Sequence, residues 1–254
     1  MMGTKTVLCV LAFVATGLVA SPAWAAFVMS ANLQGGLTYN PSITDPGLNR
    51  MIDRYNSGNP FLTRQMPHIT SNSGYNLGIS FNISASDDFF QEGSVTFMHL
   101  ASPFAHAEGV LNGQPVSTDL RVVFDGGMMT WAGYVPLMDR LLIIGPEIGF
   151  ILGGQGVEVG SQGMPVADSA THYGLHGSLN IGLNLAKFEL PFYIVARVHY
   201  RKMMGYGYAD ISEALTPESD PWAVLDLDSY RSDYSNVGVN VSIAWVFGAE
   251  GYTW

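Results

Sequence analysis

The chain alternates large apolar residues with small polar ones at every second position in several separate stretches. In an extended strand, alternate side chains point to opposite faces. A strand with one apolar face and one face of Gly, Asn and Ser is typical of a wall between lipid and water. The pattern therefore predicts membrane-spanning β-strands. The last stretch shows it best, with Val237, Val239, Val241, Ile243, Trp245 and Phe247 interleaved with Gly238, Asn240, Ser242 and Ala244.

The composition indicates an exterior that water does not cover. Charged residues make up 13% of the chain, whereas a soluble surface typically carries about 25–35% Lys, Arg, Glu and Asp. No run reaches the roughly 20 apolar residues of a transmembrane helix, because the best candidate, residues 141–152, is broken by the sequence Gly-Pro-Glu. A closed barrel is the remaining structure that pairs every backbone polar group in lipid. The alternative, a soluble lipocalin-like barrel, needs a charged exterior.

The N-terminus has the features of a secretory signal. A positive residue is followed by an apolar run over residues 7–20 and then by the small-x-small sequence Ala-Trp-Ala at 23–25. A run of this length with a cleavage sequence after it is typical of a signal peptide. We therefore expect residues 1–25 to be removed on secretion and residues 26–254 to form one domain.

The alternation predicts eight strands that close into an up-and-down antiparallel barrel, which is an all-β transmembrane fold. The connections between them alternate between short and long. Short turns on one side and long loops on the other are typical of bacterial outer-membrane barrels, so we expect the protein in the bacterial outer membrane. The predicted strands cover about residues 27–39, 75–85, 94–104, 120–128, 141–152, 173–185, 190–201 and 237–247. The long extracellular loops are expected at about residues 40–72, 106–118, 154–171 and 206–233.

The first long loop carries a helix signal of its own. Asp45 stands at the N-cap position and Pro46 at the first helical position, which are the residue types that begin helices. We expect this helix to cover the mouth of the barrel. Its apolar face comprises Leu48, Met51, Ile52 and Tyr55.

Polar residues on the inward faces of the strands define a candidate site. The interior of an eight-stranded barrel is just wide enough for side chains to fill, and isolated charges are costly to bury. We therefore expect the inward charges to pair into a network. The network either plugs the lumen or lines a solute path, in which case its three arginines favour polar or anionic solutes. The alternation turns these residues inward: Arg121, Asp125, Glu147, His176, Arg197, His199 and Arg201.

Two segments of the chain resemble the OmpW/OprG family of eight-stranded outer-membrane barrels. The strand at 76–81 leads through a turn to the run HLASPFAH at 99–106, and the family has a small-residue-Pro-Phe-x-His run at this place. Strand order and loop rhythm agree over most of the chain. The sequence Asp-Pro-Trp at 220–222 is similar to a family motif near the last strand, although residues 223–233 intervene here.

The resemblance implies an outer-membrane channel that helps small, often hydrophobic, molecules to cross. In the family, apolar side chains of the third and seventh strands constrict the lumen, and the matching positions here are His99 and His199. We therefore expect these two histidines to form the constriction and to gate by charge, because the unperturbed pKa of histidine is about 6.5. The last strand is similar to the C-terminal signal that outer-membrane proteins present to their assembly machinery.

Several other functions are not expected. The net charge of −10 argues against nucleic acid as a partner. The single cysteine, Cys9, lies in the expected signal, and His99 and His199 have no carboxylate at ligand spacing, so neither a metal nor a cofactor is expected. The His-Gly-Ser sequence at 176–178 is similar to a His-x-Ser pair of a lipid-deacylating barrel. Both side chains are expected to face the lumen without an evident orienting carboxylate, so no enzyme is expected.

Two functions of different class remain open from the sequence. The first is transport, in which small molecules enter through the long loops and leave through the lumen or the wall. The second is a plugged barrel that displays loops such as 41–72 and 209–233 to a host, a phage or a neighbouring protein, because loops on a rigid scaffold commonly carry function. Besides lipid, the expected partners are thus a small solute or another macromolecule.

Overall fold

A computed structural model describes the protein over residues 28–86, 89–160, 166–206 and 233–247. The expected signal peptide, most of the loop expected at 206–233 and the last seven residues lie outside these ranges. No helix in the described part is long and apolar enough to cross a membrane.

Ten strands and one α-helix occur in the described residues. Helix α1 spans Pro46–Gly58, and a short 3₁₀ turn spans Leu185–Phe188. The side chain of Asp45 accepts a hydrogen bond from the amide of Leu48 at 3.1 Å, which confirms the predicted helix start. The strands are β1 (Val28–Thr44), β2 (Leu62–Arg64), β3 (Asn72–Ser86), β4 (Phe89–Ala101), β5 (Ala105–Leu111), β6 (Gln114–Leu137), β7 (Leu142–Gly160), β8 (Val166–Asn184), β9 (Phe192–Tyr206) and β10 (Asp233–Phe247).

Eight of the described strands form a closed antiparallel barrel. They neighbour one another in the order β6-β4-β3-β1-β10-β9-β8-β7, and β7 pairs back onto β6 to close the ring. Each barrel strand therefore pairs with the barrel strands that come before and after it in the sequence, which confirms the predicted up-and-down topology. Strand β10 pairs with β1, so the first and last strands close the barrel. Strands β2 and β5 extend the sheet beyond the ring.

The two ends of the barrel differ in their connections. One end has the short connections at 138–141 and 185–191, and the other end carries α1, β2 and the hairpin of β5 and β6. The hairpin replaces the loop expected at 106–118, because Asn112 and Gly113 both have positive φ and form the two-residue turn that suits a tight hairpin. Strands β7 and β8 likewise occupy most of the loop expected at 154–171.

An apolar belt surrounds the outside of the barrel. Burying such a surface in hydrocarbon is favourable, whereas exposing it to water is not. Tyr39, Tyr75 and Tyr200 edge the belt at the long-loop end, and Trp245 and Phe247 edge it at the other end, which matches the aromatic girdles of membrane barrels. The barrel therefore spans a membrane. Members of the belt include Leu33, Leu37, Leu77, Ile148, Leu175, Leu179, Ile181, Val198, Val241 and Ile243.

Side chains fill the lumen in layers. At the long-loop end the apolar face of α1 packs onto Leu120, Val122 and Val157, so the helix covers the mouth. A second apolar layer below it includes Met98 and Phe124. Two apolar clusters lie at the short-turn end. One contains Phe90, Ala132, Tyr134 and Ile143, and the other contains Tyr193, Val195 and Ala244. Between these apolar layers lies a polar layer, which holds the candidate site.

Replacing Leu179 by Arg tests the belt. The side chain of Leu179 lies on the outer face near the middle of β8 and is 55% exposed, so we expect the free energy of unfolding in lipid vesicles to fall by about 2–4 kcal/mol. The control is Thr171→Arg, on the same face of β8 beyond the belt, where the loss should be at most about 1 kcal/mol. Urea titration of the refolded variants measures both, and equal losses contradict a lipid-facing belt.

Candidate functional site

Five of the eight residues that the sequence placed in the candidate site lie in the lumen. They come from the adjacent strands β7, β8 and β9, which pair in the register that puts His176 opposite Arg201. None is more than 6% exposed. The structure therefore brings these side chains together where the alternation predicted them. They are Glu147, His176, Arg197, His199 and Arg201.

His99 and Asp125 lie on the outer surface, so their predicted inward orientation is wrong. In the sheet, His99 stands directly opposite Tyr75 on β3 and Asp125 on β6, and the side chains of Tyr75 and Asp125 are well exposed. His99 Nδ1 lies 2.7 Å from Asp125 Oδ1. His99 and His199 are therefore on opposite sides of the barrel wall, and the two histidines cannot form a common constriction.

Arg121 also lies outside, contrary to the prediction. Its guanidinium pairs with Glu158 on β7 and lies 4.6 Å from the ring centre of Phe104. The prediction took the large apolar residues between positions 120 and 128 as lipid-facing. Leu120 and Val122 instead pack in the cluster of α1, and Phe124 and Met128 belong to the second apolar layer. Because the lumen itself is apolar at this level, an apolar face did not mark the outside.

Arg197 lies at the centre of the polar layer and crosses the lumen. Its Nε donates to Glu147 Oε2 at 3.4 Å, and its Nη2 donates to Gln34 Oε1 at 3.3 Å. One guanidinium on β9 therefore joins five strands of the ring. Its partners on the other four strands are Gln34 on β1, Glu92 on β4, Glu147 on β7, and Asn240 and Ser242 on β10.

The carboxylate of Glu147 is surrounded by donors. Its Oε1 lies 2.9 Å from His176 Nε2 and 3.3 Å from Ser178 Oγ, and its Oε2 accepts from Asn180 Nδ2 at 3.2 Å and from Arg197. Glu147 is only 2% exposed. A buried carboxylate is tolerated when it is paired with a cation and its lone pairs are hydrogen-bonded, and both conditions hold here.

Glu92 is a second buried carboxylate, which the sequence reasoning missed. The phenol of Tyr193 donates to Glu92 Oε2, and Arg197 Nη2 lies 3.9 Å from Oε1. Tyr193 in turn accepts from Asn32 Nδ2 at 3.2 Å. The third strand was predicted to begin near residue 94, but β4 begins at Phe89. With Val95 and Phe97 facing lipid, an extended alternation places Glu92 on the inward face. The predicted inward position of His99 has the opposite parity and turned Glu92 outward, so the error at His99 also hid Glu92.

The His-Gly-Ser sequence at 176–178 does not form a catalytic pair in the described structure. A carboxylate does orient His176, because its Nε2 bonds to Glu147, although none was evident from the sequence. Ser178, however, directs its hydroxyl to Glu147 and to Asn180 Oδ1 at 2.6 Å. Activation of a serine requires a hydrogen bond to the base. Both ring nitrogens of His176 are instead hydrogen-bonded to Glu147 and Arg201.

The polar layer leaves little free space. Residues from all eight barrel strands line one cavity, whose charged members are Glu147, Arg197 and Arg201. The centre of a water molecule has about 20 Å³ in which to move there, which is room for about one or two waters. Within the described residues, no group of three or more His, Cys, Asp and Glu is placed to hold a metal ion.

Comparisons with known proteins find similar structures at low sequence identity. The chain is similar to Ail, the attachment invasion locus protein of Yersinia pestis, at 13% identity over 87% of this chain and 99% of that chain, with a TM-score of 0.42. Neisserial surface protein A gives 10% identity over 85% and 97%, with a TM-score of 0.41. The outer membrane protein OprG from Pseudomonas aeruginosa gives 12% identity over 88% and 98%, with a TM-score of 0.35. No family model and no curated protein matches the chain.

Removing the guanidinium of Arg197 should destabilise the barrel strongly. Arg197→Met leaves Glu147 without its cation in a buried site, which typically costs about 3–5 kcal/mol. The double variant Arg197→Met with Glu147→Gln removes both charges, and we expect it to recover part of this loss. Urea unfolding of the refolded proteins measures the three values. A single variant as stable as the wild type contradicts the central role of the ion pair.

Cysteine labelling tests which face of β4 points outward. A protein that begins at Ala26 has no cysteine, so Met98→Cys and His99→Cys each introduce one thiol. Met98 is buried in the lumen at 1% exposure, whereas the side chain of His99 is 32% exposed. In detergent micelles we expect a water-soluble maleimide to modify position 99 faster than position 98. Faster modification of position 98 than of position 99 would show that His99 faces the lumen and would contradict the structure.

Proposed function

We propose that the protein is a closed barrel of the bacterial outer membrane that conducts no solute and holds a structured face at the cell surface for contact with another macromolecule. The single observation that carries this proposal is the side chain of Arg197, which is hydrogen-bonded across the lumen to β1, β7 and β10. A solute on the barrel axis has to break these hydrogen bonds.

The layers on either side of Arg197 support a plugged lumen. Toward the long-loop end, an apolar layer containing Met98 and Phe124 lies below the cluster formed by α1. Toward the other end, Tyr134 and Tyr193 are nearly fully buried in further clusters. Close-packed apolar layers are dense and leave few voids, so they exclude polar solutes as the polar layer excludes apolar ones.

The long-loop end offers an ordered polar surface. Helix α1, strand β2 and the hairpin of β5 and β6 lie beyond the apolar belt, and hydrogen-bonded pairs of histidine and aspartate occur there. His106 Nδ1 is 2.7 Å from Asp119 Oδ1, and on the helix Asp53 Oδ1 is 2.8 Å from His68 Nε2. Such surfaces on a rigid scaffold suit contacts with a host, a phage or a neighbouring protein.

The outer membrane is the membrane that best suits this barrel. Bacterial outer-membrane barrels combine an even strand number, short turns at one end and longer connections at the other, and the described part has the same features. We propose that residues 1–25 direct secretion. The last strand, β10, pairs with β1 to close the barrel, and we propose that it is the strand the assembly machinery engages.

Passage of small molecules, which the family resemblance implies, is the competing function. It rests on a gate formed by His99 and His199, but His99 lies on the outer surface beside Asp125. His199 is buried in the lumen, where Nε2 lies 2.8 Å from Asn40 Oδ1. Transport through the lumen would therefore require the layers to rearrange.

Permeability measurements on the refolded mature protein separate the two functions. We expect planar bilayers to show no steady conductance above the lipid baseline, and vesicles to admit neither sugars nor small apolar solutes faster than protein-free vesicles do. The variants His99→Ala and His199→Ala should show equally little conductance and solute entry. His99 lies outside the barrel, and replacing His199 leaves the hydrogen bonds of Arg197 intact. Steady conductance of the wild type, or solute entry that depends on either histidine, contradicts the proposal.

A further inference from the structure

Arg201 is a buried cation that uses few of its hydrogen-bond donors. An arginine carries five N–H donors, and Arg201 donates from Nε to His176 Nδ1 at 3.3 Å. Its Nη1 is buried and has no acceptor among the described residues. The side chain is 3% exposed, so bulk water does not satisfy it.

The carboxylates of the polar layer are engaged elsewhere. The ion pairs there join Arg197 to Glu147 and to Glu92, and within the described residues no ion pair includes Arg201. His176 lies between Arg201 and Glu147. Its Nδ1 accepts a hydrogen bond from Arg201, and its Nε2 is hydrogen-bonded to Glu147. Leaving a buried charge without a partner costs several kcal/mol, so this site favours an additional negative charge.

The cavity of the polar layer lies beside Arg201. Arg201 lines it together with Ser94, Thr96 and Thr130, whose hydroxyls can act as donors. The amide of Asn240, which also lines the cavity, already donates to Thr38 and Asn76. The cavity has room for about one or two waters. A polyatomic anion such as phosphate or sulfate is too large for this space, whereas a monatomic anion fits.

We propose that the lumen binds one monatomic anion of the halide type, such as chloride, on the guanidinium of Arg201. The guanidinium supplies the charge and donors, and polar side chains around the cavity complete the shell. The carboxylate of Glu147 does not oppose the anion strongly, because four donors including Arg197 already bind it. The bound anion completes the polar plug. This site goes beyond the proposed surface function, because an anion can bind in the lumen whether or not the protein contacts another macromolecule.

Bromide substitution locates the ion directly. The mature protein is refolded and crystallised in bromide in place of chloride, and diffraction is collected at the bromine absorption edge. We expect one anomalous peak in the lumen in contact with the guanidinium of Arg201. A lumen with only water at Arg201 and no anomalous peak overturns the proposal. Because that outcome leaves the permeability result unchanged, failure of the anion site is distinguishable from failure of the proposed function.

The stability of the protein in solution gives a second readout. Urea unfolding in micelles is compared in chloride and in gluconate at equal ionic strength. Above the Kd, the folding equilibrium constant should rise about tenfold for each tenfold increase in chloride. Arg201→Gln should abolish this dependence, whereas the control Arg64→Gln, at an exposed position on β2, should retain it. Equal dependence in both variants overturns the proposal, and if Arg201→Gln does not fold, the bromide peak in the wild type decides.

Discussion

The ion pair between Arg197 and Glu147 in the middle of the barrel organises the polar layer that fills the lumen. Both groups are buried, and each is stable there only because the other neutralises it and because the surrounding side chains bond to the remaining donors and lone pairs. Since Arg197 reaches strands on the opposite side of the ring, the same contacts that stabilise the charges also close the lumen. The stability of the barrel and its proposed lack of passage thus have one physical cause.

The layers of the lumen explain why charge can be buried so deeply. An eight-stranded barrel has an interior that side chains must fill, and here apolar layers lie on both sides of the polar one. They keep water away and strengthen the electrostatic interactions between the buried groups. This isolation makes a buried charge costly when it has no ion-pair partner, and within the described residues Arg201 has none. The same isolation leads to the proposed anion and to the proposed absence of conduction.

The two-residue alternation predicted the barrel, its eight strands and the inward position of Glu147 and Arg197, because one face of those strands is lipid and the other is polar. It failed between Leu120 and Met128, since there both faces are apolar or mixed and α1, which packs from inside, is distant in sequence. The resemblance to a family placed His99 in a constriction, but the pairing of β4 with its neighbours turns this side chain outward. Which carboxylate pairs with which cation depends on strand register, which the alternation does not determine.

The contact between Arg197 and Gln34 is the most direct test of a lumen closed by its own side chains. The two residues lie 163 positions apart, and Arg197 Nη2 donates to Gln34 Oε1 at 3.3 Å. In solution NMR of the refolded protein in micelles, we expect nuclear Overhauser contacts between the guanidinium of Arg197 and the side-chain amide of Gln34, with slow solvent exchange of the Arg197 Nε proton. A rapidly exchanging Arg197 proton without contacts to β1 would contradict it.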